Sequence, residues 1–332
     1  MLTGETQGKS TPSHEVSSKT PPKETKKVTP AETVKNWKSA TTISKRAKGY
    51  NFARAVAIAL HPSGDIAAVD KNDKPVDMWS SKIGSPRVYV FGADTKPKFV
   101  LNSTDSDEKP VGKLVAAQGV AVTQDGNYAI ADGTKWVKIF DQNGKYLSEF
   151  STLKNDDDDS VKVKPSCIAV TDNGDILVGD FIRELVTVHS GSDYHILHEV
   201  PVRSKPIHIA SGSEGQIWVS SVEEDLWQAG KLTAFNYSGE ELVTIYPEIY
   251  DEVTKPNGIA CNPDGTIFVA VTAVDEKRKE SKTSCGHIHQ YGSDGKFIEC
   301  FVKRVYNPQG MALYGKCMAV ADTNAVLMYK GH

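Results

Sequence analysis

One short phrase recurs six times along the 332-residue chain: a few apolar residues, a tight turn at glycine, then an alternating strand that often closes on aspartate. AIALHPSGDIAAVD ends at Asp70, GVAVTQDGNYAIAD at Asp132, CIAVTDNGDILVGD at Asp180, HIASGSEGQIWVS at Ser220, GIACNPDGTIFVA at Ala270 and a shortened GMALYGKCMAVAD at Asp322. The turn glycines Gly64, Gly126, Gly174, Gly215, Gly265 and Gly315 are 62, 48, 41, 50 and 50 residues apart. Four short strands and their turns need about 40–50 residues, the size of one propeller blade. RVYVF, WVKIF, LVTVH, KLTAF, HIHQY and AVLMY supply a third strand in each copy, and turns such as DQNGK, YSGEE and GSDGK lead into a fourth. This alternation is the hairpin pattern, and no copy carries a helical period. The expected fold is all-β, a six-bladed β-propeller.

The sixth copy ends after its third strand, because only Lys330, Gly331 and His332 follow Tyr329. An open ring would expose two sheet edges, which closed all-β folds avoid. A strand from the N-terminal side is therefore expected to complete the last blade, and VKNWKSATTIS, starting at Val34, is the candidate. Residues 1–33 are rich in Lys, Thr, Ser, Pro and Glu and bury too little apolar surface to offset ordering, so they read as a disordered tail before a propeller over 34–332.

Residues 1–50 hold ten Lys/Arg against four Glu, +6, which leaves −9 for the remainder of a chain whose net charge is −3. An acidic body lacks the broad basic footprint of a general nucleic-acid binder. No segment is long and apolar enough to span a bilayer as a helix. Cys167, Cys261, Cys285, Cys300 and Cys317 show no CxxC spacing and read as free thiols of a cytoplasmic chain.

The phrase P-x-G-I-A-V, then x-x-G-x-I-x-V-A-D, a V-x-V-F strand and a G-K-x-L turn resembles the NHL repeat. KPNGIACNPDGTIFVA from Lys255 and QGVAVTQDGNYAIADGTKWVKIFDQNGKYLSEF from Gln118 carry it most fully. The resemblance implies a platform like the C-terminal domains of tripartite-motif ubiquitin ligases and related regulators, which recruit a protein or an RNA. The chain has no clustered Cys/His zinc ligands for a RING, so catalysis would come from a partner or from sequence outside it, and a monomer is expected unless the chain is part of a longer coiled-coil protein. No cofactor is expected.

The resemblance also implies that ligands bind the face carrying the starts of the inner strands and the loops between second and third strands. Aligned on the turn glycines, the middle residue of each P-x-G corner is Val56, Gln118, Ser166, Ile207, Asn257 or Gln309. Four of the six, Gln118, Ser166, Asn257 and Gln309, are uncharged hydrogen-bonding side chains that form a potential polar ring, or simply satisfy backbone groups or channel water. Trp136, Phe181, Arg183 and Trp227 fall near the same face and are residue types enriched at interface hot spots. The expected partner surface is built from these four around Gln118 and Asn257, with Ser166 and Gln309 beside them.

Two alternatives accompany this reading. Single-stranded RNA binding requires Arg54, Lys135, Arg183, Lys205 and Lys255 to converge beside stackable aromatics. A metal-dependent lactonase is suggested by PNGIACNPDGTIFVAVT, which resembles the senescence-marker/gluconolactonase propellers, where an asparagine matching Asn257 helps hold a metal. The other two ligands of that family are missing: the next corner is Pro308-Gln309-Gly310, and Ala55-Val56-Ala57 carries no glutamate. Asn257 is left as a weak metal candidate and no metal is expected. His287 and His289 alternate on one strand face, His195 and His198 straddle another strand, and only His208 lies near an inner-strand start. The aspartates Asp70, Asp132, Asp180 and Asp322 read as structural, accepting N–H groups of the following loop, and Asp156 to Asp159 as a solvated loop.

Overall fold

The computed structural model describes residues 37–44, 54–71, 86–101, 112–154, 160–224, 229–278, 280–282 and 285–331. The proposed tail, Trp227 and the run Asp156 to Asp159 lie outside them. The strands are β1 (Trp37–Ser44); β2 (Ala55–Leu60), β3 (Ile66–Asp70), β4 (Arg87–Phe91) and β5 (Pro97–Leu101); β6 (Ala117–Val122), β7 (Tyr128–Asp132), β8 (Trp136–Phe140) and β9 (Tyr146–Ser151); β10 (Pro165–Val170), β11 (Ile176–Asp180), β12 (Leu185–His189) and β13 (Ile196–Pro201). The remainder are β14 (Lys205–Ser211), β15 (Ile217–Val222), β16 (Gly230–Phe235) and β17 (Glu241–Ile245); β18 (Thr254–Cys261), β19 (Ile267–Asp275), β20 (Glu280–Ser281), β21 (Gly286–Tyr291) and β22 (Phe297–Val305); β23 (Pro308–Tyr314), β24 (Cys317–Asp322) and β25 (Ala325–Gly331). Each group after β1 is one antiparallel sheet, and the six sheets form a propeller ring.

The repeat turn explains the common hairpin of each blade. All six turn glycines are left-handed, with φ from 54° at Gly315 to 94° at Gly174, a conformation that a Cβ disfavours. Around Gly126, the Thr123 carbonyl accepts the Gly126 N–H at 2.9 Å while the Thr123 N–H donates to Asn127 at 2.9 Å, fixing the register from β6 to β7.

Ring closure follows the missing-strand argument. β1 is the outermost strand of the sixth sheet, in the order β1-β25-β24-β23. It runs antiparallel to β25, from Trp37 opposite Gly331 to Ser44 opposite Ala325. Inner strands β2, β6, β10, β14, β18 and β23 neighbour one another in sequence, and β23 meets β2 to close the circle. The apolar core has six parts, one between each pair of neighbouring sheets. At the seam, Ile43, Ala55, Ile58, Ile66, Tyr89 and Phe91 pack against Ala319, Ala321, Val326 and Met328.

One feature departs from the four-strand repeat. β19 runs on to Asp275 and turns back into β20, giving the fifth sheet an additional strand. All five cysteines are free. Among the described residues no helix is long and apolar enough to cross a membrane.

Candidate ligand site at the channel mouth

The strand-end aspartates build the rim. Asp70 accepts the Arg54 N–H at 2.7 Å, Asp132 those of Val115 and Ala116 at 3.0 and 2.6 Å, Asp180 that of Lys164 at 3.1 Å, and Asp322 that of Asn307 at 2.6 Å. Each carboxylate thus pins the loop that enters its own blade's inner strand, where the sequence suggested the loop that follows the aspartate. Asp180 does both, since the N–H groups of Ile182 and Arg183 also reach it at 2.9 and 3.1 Å. Four remote carboxylates, each occupied by backbone, serve architecture rather than chemistry.

Held in this way, the inner-strand starts converge on a cavity of about 130 Å³ at the mouth of the central channel. The six corner residues Val56, Gln118, Ser166, Ile207, Asn257 and Gln309 all line it. Some are tied to neighbouring blades. The Ser166 hydroxyl is 2.7 Å from the Pro206 carbonyl, the Asn257 amide donates to Pro308 O and to Thr272 Oγ1 at 3.0 Å each, and Ser220 donates to the Asn257 carbonyl at 2.7 Å. Gln118 and Gln309 hold their own loops, donating to Ala116 O at 3.0 Å and to Asn307 Oδ1 at 2.8 Å.

The charge of the cavity is one-sided. Arg54, Lys71, Lys164 and Lys255 line it, and among the described residues no carboxylate does. His208 also faces it; burial, then the charges of Lys255 and Lys71, push its imidazole down to about 3, so it is neutral at ordinary pH. Cations set beside the Gln118 and Gln309 amides favour an anionic group and repel a divalent metal.

The structure divides the expected aromatic and basic set. Phe181 lines the cavity with its ring 4.8 Å from the Lys164 ammonium. Trp136 stands apart from the lining, half-buried, with the Lys135 ammonium 5.5 Å from its ring. Arg183 is also apart, and it bonds Asp180 at 2.8 Å, Glu199 at 3.3 Å and the Thr152 carbonyl at 2.8 Å. Its guanidinium is therefore a structural tie, contrary to its expected place on an open partner surface. Lys205 turns to Glu184 and to the Glu223 carbonyl. Of the five bases required to converge for RNA, only Arg54 and Lys255 line the cavity.

Lys71 and Lys164 belong to the cavity and were not anticipated there. A signal for Lys164 is present in the sequence: a basic residue stands two positions before the corner residue in four of six copies, as Arg54, Lys164, Lys205 and Lys255, though Lys205 alone turns away.

No protein-family model and no curated protein matches the chain. Solved structures do. Virginiamycin B lyase from Staphylococcus aureus is 13% identical with a TM-score of 0.54, spanning 89% of this chain and 99% of its own. The WD40 repeats of RRP9 are 10% identical with a TM-score of 0.56, spanning 88% and 99%. XC5397 from Xanthomonas campestris, a gluconolactonase, is 12% identical with a TM-score of 0.56, spanning 92% and 99%. At these identities the similarity is one of fold, and a single fold serves unrelated functions.

Proposed function

We propose that the protein is a non-catalytic recognition platform that holds an anionic side chain or terminus of a partner protein in the channel mouth. The observation that carries this reading is the cavity lined by Arg54, Lys71, Lys164 and Lys255 with no carboxylate among the described residues, in a chain that is acidic beyond residue 50. Gln118 and Gln309, each with a second amide N–H, supply donors that orient the anion, and Phe181 supplies the apolar wall beside Lys164. By the NHL resemblance, the partner is a client presented to ubiquitin-ligase machinery, with the chemistry supplied by another chain. Five free thiols suit a reducing, cytoplasmic setting.

A lactonase reading finds less support. Asn257 is 1% exposed with its amide committed to Thr272 and Pro308, and four cations line the same cavity where metal-activated hydrolysis needs carboxylates. RNA binding draws on the same basic lining. The aromatic rings needed for base stacking, Phe181 and Trp136, each lie under a lysine ammonium, which favours a compact anionic group over a stacked strand.

A peptide array carrying glutamate-rich, phosphoserine-bearing and neutral segments, probed with the full chain, tests the reading. Binding is expected on the acidic or phosphorylated peptides, weakened at least about tenfold by Lys164→Glu. Binding indifferent to peptide charge, or retention by Lys164→Glu, contradicts it, as does preference for a uridine oligonucleotide over every peptide.

A further inference from the structure

We propose that the fifth blade carries a zinc site formed by His287, His289 and Cys300, none of which lines the channel mouth. The His-x-His pair lies on one face of β21, and Cys300 on β22 is the register partner of His289. A bulge between Ile288 and His289 sets that register, so the thiol faces the imidazoles across the antiparallel pair. One ligand atom from each residue lies within 4.8 Å of the other two.

The separation of the two nitrogens suits a tetrahedral ion. The Nδ1 of His287 and the Nε2 of His289 are 3.3 Å apart. Two nitrogens bound at ~2.0–2.1 Å around a tetrahedral zinc are themselves about 3.3–3.4 Å apart. The ion therefore enters between the two nitrogens without separating them: the proton of their N–H···N contact moves, through solvent, to the other nitrogen of the ring that carried it, so both ligands stay neutral imidazoles. The Cys300 thiol donates weakly to the Val302 carbonyl at 3.5 Å; on binding it releases its proton to solvent and becomes the thiolate ligand.

The surroundings orient the ligands. With Nε2 of His289 aimed at His287, its Nδ1 lies 3.2 Å from the Tyr291 hydroxyl, an outer contact that fixes the ring and its tautomer. Phe297 packs edge-on against His289 with centroids 5.4 Å apart. His287 and His289 are 8% and 3% exposed, and His287 borders a cavity of about 590 Å³ that also meets Cys285. Lys303, opposite His287 in the strand pair, and Arg304 share that cavity with Asp251 and with Glu252, which pairs with Lys282. Two imidazoles and a thiolate, with no carboxylate among the three, select zinc over calcium or magnesium. The cavity beside His287 offers room for a water as fourth ligand.

Cobalt(II) titration of the chelator-stripped full chain, free of any added histidine tag, tests the site. The result expected is equimolar binding with tetrahedral d–d absorption and a cobalt–thiolate charge-transfer band, both abolished by zinc. Cys300→Ser is expected to remove the charge-transfer band, Cys285→Ser to leave it, and Tyr291→Phe to preserve the spectrum while weakening binding by about tenfold. X-ray absorption of the zinc-loaded wild-type chain, which needs no variant to fold, is expected to show one sulfur and three nitrogen or oxygen neighbours, two of them imidazoles. Absence of the charge-transfer band in the wild type, its survival in Cys300→Ser, or a zinc shell without sulfur overturns the assignment and leaves the histidines as a hydrogen-bonded pair.

Discussion

Arg183 shows how a residue type suggestive of binding can be consumed by architecture. Its side chain joins Asp180, which is fully buried, to Glu199 and to the Thr152 carbonyl. Arg183→Ala is expected to lower stability by ~1–3 kcal/mol in urea unfolding, because Asp180 loses its cation and Thr152 a donor. A melting curve unchanged from wild type contradicts that role. His189 makes a second residue-scale case. It is fully buried, bonded to Tyr194 O and Thr187 Oγ1 at 2.9 Å each, and burial pushes it down to about 4. An unfolded histidine protonates near pH ~6.5, so the unfolded chain takes up a proton that the folded chain refuses. Stability from this group is complete above pH ~6.5 and drains as pH falls toward 4, by up to about 3 kcal/mol. Urea midpoints measured at pH 7 and pH 4.5 should fall less in His189→Gln than in wild type; equal falls contradict the assignment.

At the scale of elements, the most consequential strand is β1, since the sixth sheet is incomplete without it. Ile43 is 2% exposed and packs into the seam between the last and first blades. Ile43→Ala is expected to cost about 2–5 kcal/mol in urea unfolding. Deleting residues 1–44 exposes the β25 edge and should convert a well-behaved species into aggregates on size exclusion. A deletion variant that melts and elutes like the full chain contradicts closure by β1. This strand was legible because its absence elsewhere was countable: the last repeat lacked a fourth strand. The β19–β20 hairpin was not legible, because its turn falls among EKRKE, with no glycine or proline to mark it. The corner ring was legible by aligning glycines, whereas Lys71 lies beyond a strand end where loop paths follow no period. Likewise His287 and His289 were visible as a pair, but Cys300 joins them only through a register that includes a bulge.

The whole molecule combines an acidic body with a cationic opening on the ring axis. Six blades each contribute one corner residue to that opening, so ring closure itself assembles the cavity. On the function proposed above, electrostatics selects the occupant: a cationic lining suits an anionic group, while the acidic remainder disfavours indiscriminate polyanion binding. Affinity capture from native cells, comparing the full chain with an Arg54→Glu/Lys164→Glu variant that melts like wild type, tests this claim most directly. The account predicts that protein partners retained by the wild-type chain are lost from the variant and that RNA is not enriched on either. Partners retained equally by both chains, or RNA enriched on the wild type, would contradict it.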